Sequence, residues 1–243
     1  MLDIQGLEKS FGAKRAVQGV SFTLEKGTVL VFLGPNGAGK STTMRMIAGV
    51  LEPDSGDALI NGKSIVSHRR QAQAALGYLP EGAPLYEDMT PPEFLNFMAA
   101  ARKIERSKRK DAVERAIADA RITTVASQRI GSLSKGYRRR VGLAGAILHD
   151  PPVLLLDEPT DGLDPNQKRA VRALIARMAP TKAILISTHT LTEVPAMCTR
   201  AIVVDRGMIV ADGTPEQLAK KSDDGSLEGA FMRLTDQAEA NAR

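Results

Sequence analysis

The residues with the clearest chemical potential begin at Gly34. The run Gly34-Pro35-Asn36-Gly37-Ala38-Gly39-Lys40-Ser41 fits the pattern GxxxxGK[ST] of a phosphate-cradling loop. Its glycines let backbone N–H groups converge on phosphate oxygens, and a helix starting there adds its partial positive end. Lys40 is then placed to reach the outer phosphates, the Ser41 hydroxyl to ligate Mg²⁺, and Thr42 to join the same contact shell. At average residue usage a chance match somewhere in the chain has odds of only about 1%. A second group lies far downstream, where Val153-Leu-Leu-Leu ends in Asp157-Glu158. Two adjacent carboxylates closing a buried run are costly unless paired or metal-bound. Beside a phosphate loop, Asp157 would hold Mg²⁺ through water, and Glu158 would polarise an attacking water as general base.

Such residues need elements that bring them together. Apolar β-rich runs alternate with helical patterns, which predicts an α/β fold with a largely parallel sheet. The apolar run Val29–Leu33 precedes the phosphate loop and the helical run Thr42–Leu51 follows it, the strand–loop–helix context the motif requires. Strand character returns at Val153–Asp157, Ala183–Ser187 and Ala201–Asp205. The first third reads as more antiparallel: Ser21–Leu24 is strand-like, and Asp57–Ile60 and Lys63–Ile65 flank the hairpin turn Asn61-Gly62. From Tyr86 to about His149 the pattern is mostly helical. Thr90-Pro-Pro-Glu93 is a capping box opening an amphipathic helix, and Asp111–Arg121 has helical periodicity too. Asp164-Pro165 caps a helix from Asn166 to Met178, and Thr214-Pro-Glu-Gln217 caps another. The last eight residues, 236–243, are expected to fray.

The whole chain has 243 residues, 43% hydrophobic and 25% charged, with a net charge of +5. That is ordinary for a globular protein with a full core. No apolar run approaches the ~18–20 residues of a membrane span, and the N-terminus lacks the apolar core of a signal peptide. The single cysteine, Cys198, cannot form an internal disulfide and reads as a small packed side chain, which fits a cytoplasmic setting. The basic stretch Arg102–Lys110 reads as a solvated helix end or loop. Aromatics do not interleave with it, so no nucleic-acid partner is expected.

Several separate stretches together resemble the nucleotide-binding domain of ABC transporters, over essentially the whole chain. Leu133-Ser134-Lys135-Gly136-Tyr137 is similar to the family signature, usually LSGGQ, and sits directly before a helix. Gly162-Leu-Asp164 resembles the D-loop, and His189 resembles the switch histidine. The resemblance implies a RecA-like P-loop NTPase core with an N-terminal antiparallel β subdomain and an inserted helical subdomain. Its expected division is 1–85 plus 150–235 for the core and 86–149 for the helical part. It also implies two ATPs held head-to-tail between two such chains, probed in each by Ser134, Gly136 and Asp164 of the other. His189 is expected to contact the γ-phosphate, and Phe11 to stack on adenine, although a core role for Phe11 stays open. Two departures stand out. Glu81, after Tyr78-Leu-Pro80, takes the place where relatives commonly carry Gln, so it is expected near Mg²⁺ or water unless it is simply an exposed loop acid. Lys135-Gly136-Tyr137 replaces Gly-Gly-Gln. With YLPE, APLYEDMT and LSKGYRRRVGLA, the chain looks most like ATPases paired with ABC-2 type export permeases, of drug-export or gliding-motility type. That resemblance implies ATP and Mg²⁺ as cofactors, a separate membrane permease, homodimerisation and a place on the inner face of the membrane. An importer ATPase and a soluble ABC-type remodeller remain the alternatives.

Overall fold

The computed structural model describes residues 1–240, with side chains as far as Thr235. In chain order its elements are β1 (Leu2–Phe11), β2 (Lys14–Leu24), β3 (Val29–Leu33), α1 (Lys40–Ile47), β4 (Ser55–Ile60), β5 (Lys63–Ser64), α2 (Arg69–Ala74) and β6 (Leu76–Leu79). They continue with α3 (Pro91–Ala101), α4 (Arg106–Asp119), α5 (Lys135–Ile147), β7 (Val153–Asp157), α6 (Pro165–Met178) and β8 (Ala183–Thr188). The chain closes with β9 (Arg200–Asp205), β10 (Met208–Gly213), α7 (Pro215–Ala219) and α8 (Leu227–Ala240).

Strands buried on both faces read as unbroken apolar runs. Every residue of β3, β7 and β8 is buried. These strands form the middle of a six-stranded sheet ordered β10-β9-β3-β8-β7-β6, parallel except for the edge strand β10. At roughly 1.5–3 kcal/mol for each fully buried aliphatic side chain, this sheet dominates the core. A separate four-stranded antiparallel sheet, β2-β1-β4-β5, packs over α1, and the Asn61-Gly62 hairpin joins β4 to β5 as expected. The helices between β6 and β7 bury their own apolar cluster around Phe94, Leu95, Val113, Ile122 and Val141. This is the P-loop NTPase architecture expected from sequence, with the antiparallel sheet first and the helical insertion between β6 and β7.

Cap chemistry sets the helix starts. Thr90 and Glu93 form the reciprocal capping box of α3, Asp164 caps α6 through Gln167 N, and Thr214 with Gln217 caps α7. The helix α8 runs to Ala240, so residues 236–240 continue a helix where fraying was expected; 241–243 lie outside the described residues. The basic stretch also differs in part from its reading. Arg102 turns inward, its Nη1 donating to Gln73 O at 2.8 Å, while Lys108 and Lys110 stay exposed. Cys198 is partly buried among the residues behind β9, and burial pushes its thiol up to about 12, well out of range of a reactive thiolate. Among the described residues no helix is long and apolar enough to cross a membrane.

Candidate nucleotide site

Parallel strands carry their C-terminal ends to one edge of a sheet, where ligand crevices open. Here β3 ends at the phosphate loop, β7 at Asp157-Glu158, β8 before His189, and β6 before Glu81. Because β3, β8, β7 and β6 are consecutive neighbours, four segments far apart in sequence meet at one edge. The cleft they form has a volume of about 460 Å³. Phe11, Asn36, Gly37, Gly39, Lys40, Ser41, Thr42, Glu81, Glu158 and His189 line it.

The loop is a cradle in its local geometry. Gly39 has φ 102°, and a Cβ there would come within 2.4 Å of Ala16 O, so only glycine fits between the loop and β2. Lys40 folds back over the loop and donates to Gly34 O at 2.6 Å and Pro35 O at 3.0 Å. Burial holds its ammonium below the ordinary value, against the pull of Glu158, Asp157 and Glu81. A phosphate entering the loop would offer Lys40 anionic oxygens in place of two carbonyls.

Ser41 Oγ donates to Asp157 Oδ1 at 3.3 Å, and the Ser187 hydroxyl donates to the same oxygen. A serine hydroxyl and a carboxylate are hard oxygen donors, and Mg²⁺ is held by one or two carboxylates completed by water and phosphate. The residues present fit that ion. Tyr78 lies nearby as a neutral phenol, pushed up to about 12 by burial and by the charge of Asp157. Glu158 follows in a left-handed conformation, φ 52°, which costs a non-glycine residue roughly 1–2 kcal/mol. Its N–H donates to Ser187 O and Oγ, both at 3.1 Å, which anchors the turn. The carboxylate reaches His189, with Oε1 2.8 Å from Nδ1.

Phe11 is 50% exposed at the lip of the cleft, at the tip of the β1–β2 hairpin, so the core alternative for it is set aside. Ser134, Gly136 and Asp164 do not join the cleft. They sit where the N-termini of α5 and α6 meet: Ser134 caps α5 through Tyr137 N, and a Cβ on Gly136 would press to 3.1 Å from Leu163 Cδ2. Sequence reading missed three neighbours. Lys14 and Asp161 also line the cleft, Asp161 pairs with Lys135 at 2.7 Å, and Ser187 holds both acids as described. Ser187 was legible as a strand residue only; its partner is set by the pairing of β8 with β7.

A parallel-sheet fold with a phosphate loop, a hydroxyl–carboxylate pair and a glutamate–histidine pair at one edge defines a P-loop nucleoside triphosphatase. The family model for ABC transporters matches residues 17–161. A Nod factor export ATP-binding protein I from Rhizobium sp. (strain N33) is 36% identical over 90% of this chain and 73% of its own length. The linearmycin resistance ATP-binding protein LnrL of Bacillus subtilis (strain 168) is 32% identical over 91% of this chain and 71% of its own. A solved ATP-binding subunit of an ABC transporter superposes with a TM-score of 0.87 at 29% identity, covering 97% of this chain and 99% of that one. The chain belongs to the ABC transporter family as its ATP-binding, ATP-hydrolysing subunit.

Proposed function

We propose that this chain powers an ABC-2 type exporter, closing with a second copy on two ATP molecules and driving a separate membrane permease. The observation that carries the reading is the division of the site. The cleft gathers Lys40, Ser41, Glu158 and His189, while Ser134 and Gly136, at the N-terminus of α5, do not line it. A helix N-terminus with an unused anion-binding face and a phosphate loop with an open front complement each other between two copies. In each cleft the Phe11 ring stacks on the base, the Gly34–Thr42 loop wraps the phosphates, and Lys40 and His189 hold the terminal phosphate. Ser41 and Asp157 would hold Mg²⁺, with Glu81 facing it; the ion supplies charge neutralisation of the phosphates. Glu158 takes a proton from the attacking water, oriented by its hydrogen bond to His189. Residues 1–85 and 150–235 would form the nucleotide core and 86–149 the lobe that moves against it.

The loop after Glu81 and the face of α3 form an apolar groove of about 430 Å³. Tyr86 and Phe97, 54% and 45% exposed, meet edge-to-face there at 5.3 Å. A permease segment on the inner membrane face fits this groove. The relatives' names, one for export and one for resistance, favour export over import.

Two variants test the site. Lys40→Ala is expected to abolish ATP binding, read by fluorescent nucleotide titration. Glu158→Gln is expected to bind ATP, stop turnover and elute as a stable dimer on gel filtration. Wild-type turnover by Glu158→Gln would remove Glu158 as the base.

A further inference from the structure

Three consecutive arginines, Arg138, Arg139 and Arg140, follow the signature in α5, and the fold gives each a different task. Arg138 is solvent-facing, 3.5 Å from Glu87. Arg140 donates to Arg121 O at 2.7 Å and covers the Tyr137 ring at 4.2 Å. Arg139 is also buried, with 7% of its surface exposed, and makes a different pair of contacts. Its Nη1 donates to Pro80 O at 2.7 Å and its Nη2 to Glu158 O at 2.9 Å. One planar fork thus bridges the carbonyl just before Glu81 and the carbonyl of Glu158 itself.

We propose that Arg139 is a positioning residue for ATP hydrolysis: its guanidinium fixes the left-handed turn at Glu158 and the Glu81 loop in one register, so that both carboxylates face the cleft.

The Glu158 turn is clamped from two sides, by Ser187 on its N–H and by Arg139 on its carbonyl. A non-glycine residue with φ 52° is held there only when its surroundings over-determine it. Without Arg139, one of the two clamps is gone and the carboxylate is free to relax away from His189. The Glu81 side is packed as tightly. One turn along α5, a Cβ on Gly142 would stand 2.9 Å from Ala83 Cβ, so the helix surface and this loop share a close fit. Arg139 also faces Asp157, Asp161, Glu158 and Glu81, so its charge offsets four acids at the cleft edge. Charge alone would be supplied equally well by lysine. The two-carbonyl bridge would not, since an ammonium is a point donor on a flexible stem, whereas the guanidinium is a rigid fork.

That difference is the test, and the proposal rests on Glu158 being the base. Arg139→Lys and Arg139→Met are purified as full-length chain and assayed for ATP turnover, nucleotide affinity and thermal midpoint. Arg139→Lys is expected to keep its fold and to hold KM and nucleotide affinity within about twofold, while kcat falls by at least about tenfold, the scale on which small misplacements of catalytic groups act. In the Glu158→Gln background, adding Arg139→Lys is expected to leave the residual single-turnover rate unchanged, because the group it positions is already gone. Full kcat in Arg139→Lys would show that charge suffices and overturn the proposal. A loss that appears in KM, or that adds to the Glu158→Gln loss, would overturn it equally. Wild-type turnover by Glu158→Gln alone would instead strike the assignment of the base, a separate failure read in a separate variant.

Discussion

At the scale of single residues, the same side-chain type does opposite work according to burial. His189 is exposed at the cleft and shares a hydrogen bond with Glu158, whereas His149 is partly buried against β6 with its Nε2 3.2 Å from Leu76 O. Burial, and then the charge of Arg102, push the His149 imidazole down to about 4 from the ordinary 6.5. The folded chain therefore refuses a proton that the unfolded chain accepts. The stability that comes from keeping His149 neutral is complete above about pH 6.5 and is lost as the pH falls through 6.5 toward 4. One such group sets a slope of at most about 1.4 kcal/mol per pH unit in that window. His149→Gln keeps a donor for Leu76 O and cannot be protonated. Thermal midpoints measured from pH 7.5 to 4.5 are expected to fall less steeply in the variant than in the wild type. Parallel curves would mean that the acid limb is set by other groups.

At the scale of elements, legibility followed how directly a local pattern reports its surroundings. The strands β3, β7 and β8 are buried on both faces, so an unbroken apolar run announces each one. The strands β1 and β2 announce themselves poorly. Their pairing shifts register between Ile4 and Leu7, between Leu7 and Glu8 and again between Lys9 and Ser10, and such shifts throw the apolar alternation out of phase. The hairpin from β9 to β10 turns at Arg206-Gly207, both at positive φ, and arginine is not a residue that marks such a turn. The site shows the same division. The phosphate loop and the acids at the end of β7 are contiguous strings and were legible, but Ser187 and Arg139 become functional only through partners that the fold brings to them. The contact of α5 with β6 is one such product of folding. A Cβ on Gly77 would lie 2.2 Å from Ala146 O and 2.6 Å from Leu154 Cδ2, so α5 rests on the bare backbone of the strand that leads to Glu81. Gly77→Ala is expected to lower stability by roughly 1–3 kcal/mol, the cost of overpacking a closed contact, read as a lower urea midpoint. An unchanged midpoint would show that α5 can move off the sheet at little cost.

At the scale of the whole molecule, the chain offers two faces that it does not itself satisfy. One is the open front of the nucleotide cleft with the N-terminus of α5; the other is the aromatic groove beside α3. In the function proposed above, the first is closed by a second copy. In the same proposal the second, with Tyr86 and Phe97 half exposed around apolar walls, takes an apolar segment of the permease. The two demands have different observable consequences, because the dimer should depend on ATP whereas the groove is present without it. Tagged chain recovered from gently solubilised membranes is therefore expected to bring down a polytopic membrane protein in stoichiometric amount, with or without nucleotide. Tyr86→Ala combined with Phe97→Ala should lose that partner while keeping ATP binding and the Glu158→Gln dimer, since neither ring lines the cleft. Recovery with no membrane partner and with full ATPase activity would sink the exporter reading and leave a soluble remodelling ATPase in its place. Retention of the partner by the double variant would keep the exporter reading and move the permease contact to another face.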